Sequence, residues 1–176
     1  MKGIKSKKLI VILLALIALL AIIISQVPSE PVNILPLMRD GMQNETTRLL
    51  YAEDIHDVMT ISNSKWIDIW YYDYDLNGDG HMDKIAYVQS PFHCGSGGCS
   101  FQIWVNNGNG DFVIASMLTV QLLTFEGYFH PDCRVVISRS KTNGFYDIEF
   151  SGPYNNFALK YDGERYRWHS LEKTCI

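Results

Sequence analysis

The stretch that decides the fold reads Trp66-Ile67-Asp68-Ile69-Trp70-Tyr71-Tyr72-Asp73-Tyr74-Asp75-Leu76-Asn77-Gly78-Asp79-Gly80-His81-Met82-Asp83-Lys84-Ile85-Ala86-Tyr87-Val88-Gln89. Its first part alternates, with Ile67, Ile69 and Tyr71 on one parity and Trp66, Asp68 and Trp70 on the other, the period of a half-buried strand. Its last part, from Lys84 to Gln89, also reads as a strand, and an acidic, glycine-containing segment separates the two. Strand, tight polar loop and strand predict an antiparallel hairpin rather than a helix-loop-helix.

The same alternation recurs downstream. Phe101, Ile103 and Val105 alternate with Gln102 and Trp104, Tyr146, Ile148 and Phe150 with Asp147 and Glu149, and Phe157, Leu159 and Tyr161 with Ala158 and Lys160. Between these runs lie Asn107-Gly108, Asn109-Gly110, Asn143-Gly144 and Asp162-Gly163, pairs suited to the positive φ of tight hairpins. One helix is predicted from Asn44 to Met59, capped by Asn44, with Leu49, Leu50 and Ile55 on one side and Val58 following. The fold class is therefore mainly β (α+β): one helix, then a twisted antiparallel sheet or a sandwich of about seven to nine short strands. No internal repeat is long enough for a propeller. Trp66, Trp70 and Tyr72 form an aromatic row opposite Ile67, Ile69 and Tyr71, which is either an accessible contact surface or the second buried face of a sandwich.

Upstream of the domain, residues 9–24 form an unbroken apolar run, preceded by Lys2, Lys5, Lys7 and Lys8, with no acid before Glu30. Roughly 20 apolar residues cross a bilayer, and basic flanks stay cytoplasmic. Residues 1–27 are read as a signal anchor that meets the membrane through residues 9–27, or as a signal peptide cut near Ser25 or Ser29. Residues 28–43, with Pro28, Pro31 and Pro36, read as a linker, and residues 44–176 as an extracytoplasmic β-rich domain. The expected location is the bacterial inner membrane with the C-terminal domain in the periplasm or outside, or secretion after cleavage. A chain of 176 residues, 47% hydrophobic and 19% charged, has material for one core and is not disordered. Without the four N-terminal lysines 11 bases face 19 acids, a net of −8, which excludes a nucleic-acid partner on electrostatic grounds.

From Asp73 to Asp83, four carboxylates and an amide repel one another unless a positive charge lies between them. Oxygen donors recur at every second position. Asp75, Asn77 and Asp79 through side chains, His81 through its carbonyl, and Asp83 directly or through water make an all-oxygen set suited to calcium. A solvated acidic hairpin without metal is the plain alternative.

Cys94, Cys99, Cys133 and Cys175 make an even count in a chain read as exported, so disulfides are expected. The segment Cys94-Gly-Ser-Gly-Gly-Cys99 lets the chain double back so that its sulfurs can meet, and Cys133 would then pair with Cys175, one of three pairings that four cysteines allow. A zinc site using His93 and Cys94 with His130 and Cys133 is a second reading, and a Cys nucleophile beside His93 or His130 a third. A Glu126–Glu149 acid–base pair and Ser96 as a nucleophile complete the catalytic candidates, though no G-x-S-x-G or H-E-x-x-H pattern supports them.

The spacing D-x-N-x-D-G-x-x-D from Asp75 to Asp83 resembles the calcium loops of FG-GAP and integrin-type propeller blades, thrombospondin type 3 repeats and dockerins. It departs from an EF-hand, because Lys84 or Ala86 stands where the bidentate Glu is needed. With the following Tyr-Val strand, the C-G-S-G-G-C segment and the later Gly144 to Ile148 strand, the chain resembles bacterial exported β-domain proteins. That resemblance implies export and a small β domain and carries no catalytic residues. The function expected is a non-enzymatic, membrane-anchored exported domain, stabilised by calcium and disulfides, that binds a protein or cell-envelope component. An exported hydrolase is the alternative.

Overall fold

The computed structural model describes residues 11–14, 30–60, 66–124 and 128–171. The chain divides into two compact units, Met1–Pro31 and Val32–Ile176. In the first, residues 11–14 are helical and exposed, while most of the expected membrane segment lies outside the described residues. Among the described residues no helix is long and apolar enough to cross a membrane.

The second unit is mainly β and antiparallel, and among the described residues it contains two sheets. Eleven strands are seen, β1 (Val32–Asn33), β2 (Arg39–Asp40), β3 (Asp68–Tyr74), β4 (Asp83–Gln89), β5 (Cys94–Gly95), β6 (Gly98–Asn106), β7 (Phe112–Val120), β8 (Arg134–Thr142), β9 (Phe145–Ser151), β10 (Asn156–Tyr161) and β11 (Tyr166–Ser170). One sheet runs β1-β8-β9-β10-β11; the other runs β2-β3-β4-β6-β5, with β7 also on β6. The count exceeds the seven to nine expected because β1, β2 and β5 are two-residue strands, too short to show any alternation.

Parity explains the layering. Ile85 and Tyr87 of β4, with Phe101 and Ile103 of β6, share one core with Val135, Ile137, Ile148, Phe150, Phe157 and Leu159 of the facing sheet. Each such side chain, once buried, contributes about 1.5–3 kcal/mol. The opposite parity, Ile67, Ile69, Tyr71, Ala86 and Val88, forms a second core with Tyr51 and Val58 of the helical segment. At β3 and β4 the six-stranded sheet is thus covered on both faces, and every residue of β4 is buried, while β7 keeps Val113 and Met117 exposed. The aromatic row is the second buried face: Trp70 and Tyr72 pack against the inter-sheet core, and only Trp66 at its start is substantially exposed.

Two expectations are corrected here. The single helix is two, α1 (Glu45–Leu50) and α2 (Ala52–Thr60), broken at Tyr51, where φ is −108° and ψ 19°. Tyr51 is drawn into the sheet, its phenol donating to Gln102 Oε1 at 2.8 Å and accepting from Trp104 Nε1 at 2.9 Å. A buried hydroxyl must be paired, and this pairing breaks the helical repeat. As a result Leu49, placed by periodicity with Leu50 and Ile55, is 71% exposed. Asn44 does cap α1, accepting from Thr47 N at 2.9 Å. The second correction concerns the linker, since residues 32–43 are built into the fold. Val32 pairs with Ile137, Arg39 pairs with Tyr71, and Ile34, Leu35 and Met38 are buried. Pro36 sits in a short 3-10 turn, Leu35–Leu37, where its fixed φ and missing N–H cost nothing.

Candidate functional site: the acidic loop and its surroundings

The loop between β3 and β4 is closed by its own acids. Asp75 accepts through Oδ1 from Gly78 N at 2.7 Å and Asp79 N at 3.1 Å, and through Oδ2 from Gly80 N at 2.9 Å. Asn77 Oδ1 accepts from Asp79 N at 3.0 Å, and Asp79 Oδ1 from His81 N at 2.8 Å. These are the short local bonds that Asp and Asn offer to turns. Asn77 Nδ2 also donates to Asp79 Oδ2 at 2.7 Å. Gly78 has φ +84° and Gly80 φ +89°, a backbone other residues resist.

Asp83 differs from its neighbours because it is fully buried. Its Oδ2 accepts from Leu76 N at 2.8 Å and its Oδ1 from Asn106 N at 2.9 Å, tying the loop to the end of β6. Burial pushes its carboxyl up to about 6 against the two N–H bonds from Asn106 and Leu76, and the negative charges of Asp79 and Asp75 add to the rise. For the exposed Asp79, desolvation is the largest single influence and raises the pKa, but the His81 N–H, the Asn77 amide and the charge of His81 together outweigh it and hold the carboxyl below the usual value. The loop is also tied to the facing sheet, as Tyr146 N donates to Leu76 O at 2.8 Å and Lys141 Nζ to Asn77 O at 3.3 Å. Beside the loop Lys84 pairs with Asp73 at 2.7 Å, so the acid at the head of the motif is already neutralised.

The five residues expected to hold calcium therefore share one hairpin turn and its exit. Asp75, Asn77 and Asp79 turn inward on backbone N–H groups, His81 is exposed with its ring against Gly108, and Asp83 lies beneath. Among the described residues no group of three or more His, Cys, Asp and Glu side chains gathers as a metal-holding cluster. The donor set suits a hard cation in kind, all oxygen and acidic, with a buried carboxyl whose ionisation its acidic neighbours oppose.

At the other end of β4 the disulfide Cys94–Cys99 is formed, with an S–S distance of 2.03 Å. This corrects the zinc reading, since Cys94 has no thiolate to offer. Among the described residues Cys133 has no disulfide partner; it is buried, and burial, with the charge of Asp132 beside it, raises its pKa. Its expected partner, Cys175, lies outside the described residues, as does Glu126. Glu149 stands on β9 opposite Val136 and Ala158, and Ser96 in the disulfide turn.

One grouping was not legible in the sequence. Ser90 Oγ lies 2.9 Å from His93 Nδ1, and His93 Nε2 lies 3.3 Å from Asp54 Oδ1 of α2. The composition is that of a nucleophile, a base and an orienting acid, but Ser90 is wholly buried and its Oγ also accepts from Phe92 N at 3.3 Å. The three groups pin the helix to the disulfide turn. Compared with known protein families, curated proteins and solved structures, the chain matches none.

Proposed function

We propose that the chain is an exported, membrane-tethered, non-enzymatic binding domain whose fold is held by the Cys94–Cys99 disulfide and by calcium in the Asp75–Asp83 loop. The observation that carries the calcium part is the placement of Asp83, a buried carboxyl beneath the loop that Asp75 closes, raised in pKa chiefly by burial and further by repulsion from Asp79 and Asp75. A cation there relieves that repulsion; Asp75, Asn77, Asp79, the His81 carbonyl and Asp83 would hold it, and it would supply charge neutralisation only. The lysine-flanked apolar run at residues 9–24 supports export and tethering to a bacterial inner membrane, with the domain in the periplasm or outside; a cleaved, secreted form fits the same sequence. The ligand is a protein or an envelope component.

The alternative, an exported hydrolase, has the Ser90–His93–Asp54 grouping in its favour and the complete burial of Ser90 against it. Calorimetric titration of the chain with calcium, with melting curves in millimolar calcium and in chelator, tests the reading. At ten times the dissociation constant the folded state gains about 1.4 kcal/mol, a visible rise in Tm. Asp79→Ala abolishes the rise and Asp68→Ala does not. Superimposed curves with no heat of binding leave an acidic turn and nothing more. An alkaline phosphatase fused after residue 176 is active in a bacterial host if export is right, and inactive if it is wrong.

A further inference from the structure

Beside the disulfide turn lies a cleft of about 650 Å³, walled by Ser96, Gln121, Leu123, Thr124, His130 and Tyr154. A second cleft of about 300 Å³, between Pro36 and Phe129, shares His130 as a wall, so the two adjoin. Together they have the size of ordinary small-ligand sites.

The chemistry of the walls is specific. Thr124 Oγ1 is buried with no hydrogen-bond partner among the described residues, an orphaned hydroxyl of the kind that a bound group satisfies. His130 Nδ1 accepts from Asp132 N at 3.2 Å, which puts the proton of the neutral ring on Nε2 and makes it a donor. Tyr154 is 68% exposed and meets the His130 ring edge-on at 6.2 Å, leaving an uncovered aromatic face at the rim. Among the described residues neither cleft is lined by a carboxylate, a lysine or an arginine. Among the described residues an anion finds no lysine or arginine here, and an apolar chain leaves Thr124 and His130 unpaired. A ligand that offers hydroxyls able both to donate and to accept, and an apolar ring face for the aromatic, satisfies every group named.

We infer that the joined clefts bind a neutral glycan, one sugar stacked on Tyr154 with its hydroxyls on Thr124 and His130, and the chain continuing past His130 into the smaller cleft. This rests on the proposed function, of which it names the envelope ligand. The two readings fail separately, because calcium-dependent melting tests the one and glycan titration the other.

The full chain, held in a detergent without a sugar head group, is titrated by calorimetry with chitotetraose, cellotetraose and maltotetraose up to about 10 mM. At least one of these neutral tetrasaccharides binds with Kd of about 0.1–1 mM, as expected for a shallow site with few contacts. Tyr154→Ala weakens it tenfold or more; Trp168→Ala, at an exposed aromatic outside both clefts, leaves it unchanged. Thr124→Val supplies the separating readout, since removing an orphaned hydroxyl lowers affinity by about three- to tenfold while Tm holds or rises. Failure of all three sugars to titrate overturns the inference. So does undiminished affinity in a folded Tyr154→Ala protein, and so does an affinity for polygalacturonate exceeding that for every neutral sugar.

Discussion

β4 is held at its two ends in opposite ways. Past its C-terminal end the chain is fastened by the Cys94–Cys99 bond and by close packing, in which Gly98, at φ +110°, lies so near β7 that a Cβ would fall on the Val120 carbonyl oxygen and within 2.6 Å of Gln121 N. At its N-terminal end the acidic loop is fastened by carboxylates accepting N–H groups, and the glycines have room, with nothing near a Cβ at Gly80 and only Lys141 Nζ, 3.4 Å away, at Gly78. Covalent bonds and steric contact do not titrate. Carboxylate hydrogen bonds do, and the proposed cation would compete for the same oxygens. One end of the strand is therefore a fixed clamp and the other a fastening made of titratable groups, which under the proposed calcium reading would answer to ions as well.

That contrast is broken or sharpened by variants at each end. The largest effect belongs to Gly98→Ala, where the clash is with backbone and the φ is unfavourable as well; a loss of at least about 3 kcal/mol is expected in urea unfolding. Gly80→Ala meets no neighbour and loses only the positive-φ preference, about 1–2 kcal/mol. Equal losses at the two sites would erase the distinction between a packed turn and an open one. Next comes the disulfide: a loop this short restricts the unfolded chain by about 2 kcal/mol, so the Cys94→Ser, Cys99→Ser protein should be less stable by that amount in urea unfolding and keep the proposed calcium response. Loss of that response would mean the two ends are coupled.

The smallest and most diagnostic effect is in pH. Burial raises the Asp83 pKa from 3.8 to about 6, so between these values the folded state holds the extra proton. Through this group stability is greatest in acid and falls as pH rises through the folded pKa. Asp83→Asn should flatten that slope, measured as Tm against pH. If calcium binds at Asp83 as proposed, it competes with the same proton, and the Tm gain from calcium should grow from about pH 5 to about pH 7. A gain independent of pH would place the cation away from Asp83.

The sequence by itself determined what depends on neighbours along the chain. Period-two alternation found the long strands. Asn143 and Gly144, with φ +50° and +87°, make the tight β8–β9 turn their dipeptide promised, and Asn44 caps α1 by a bond three residues long. The spacing of Asp75, Asn77, Asp79 and Asp83 picked out the loop, and that of Cys94 and Cys99 the disulfide, because both lie within one hairpin. Only the tertiary structure decided what depends on residues far apart. Alternation reports that a strand has two faces and not what covers them, so the burial of Trp70 and Tyr72 rests on the facing sheet and that of Ile69 and Tyr71 on the helices. Residues 32–43 looked like a linker because prolines and two-residue strands carry no period, yet Ile34 is completely buried once β8 lies beside it. The break at Tyr51 needed Gln102 and Trp104, the pairing of His93 needed Asp54, and the burial of Asp83 needed Asn106, partners brought into reach by folding alone.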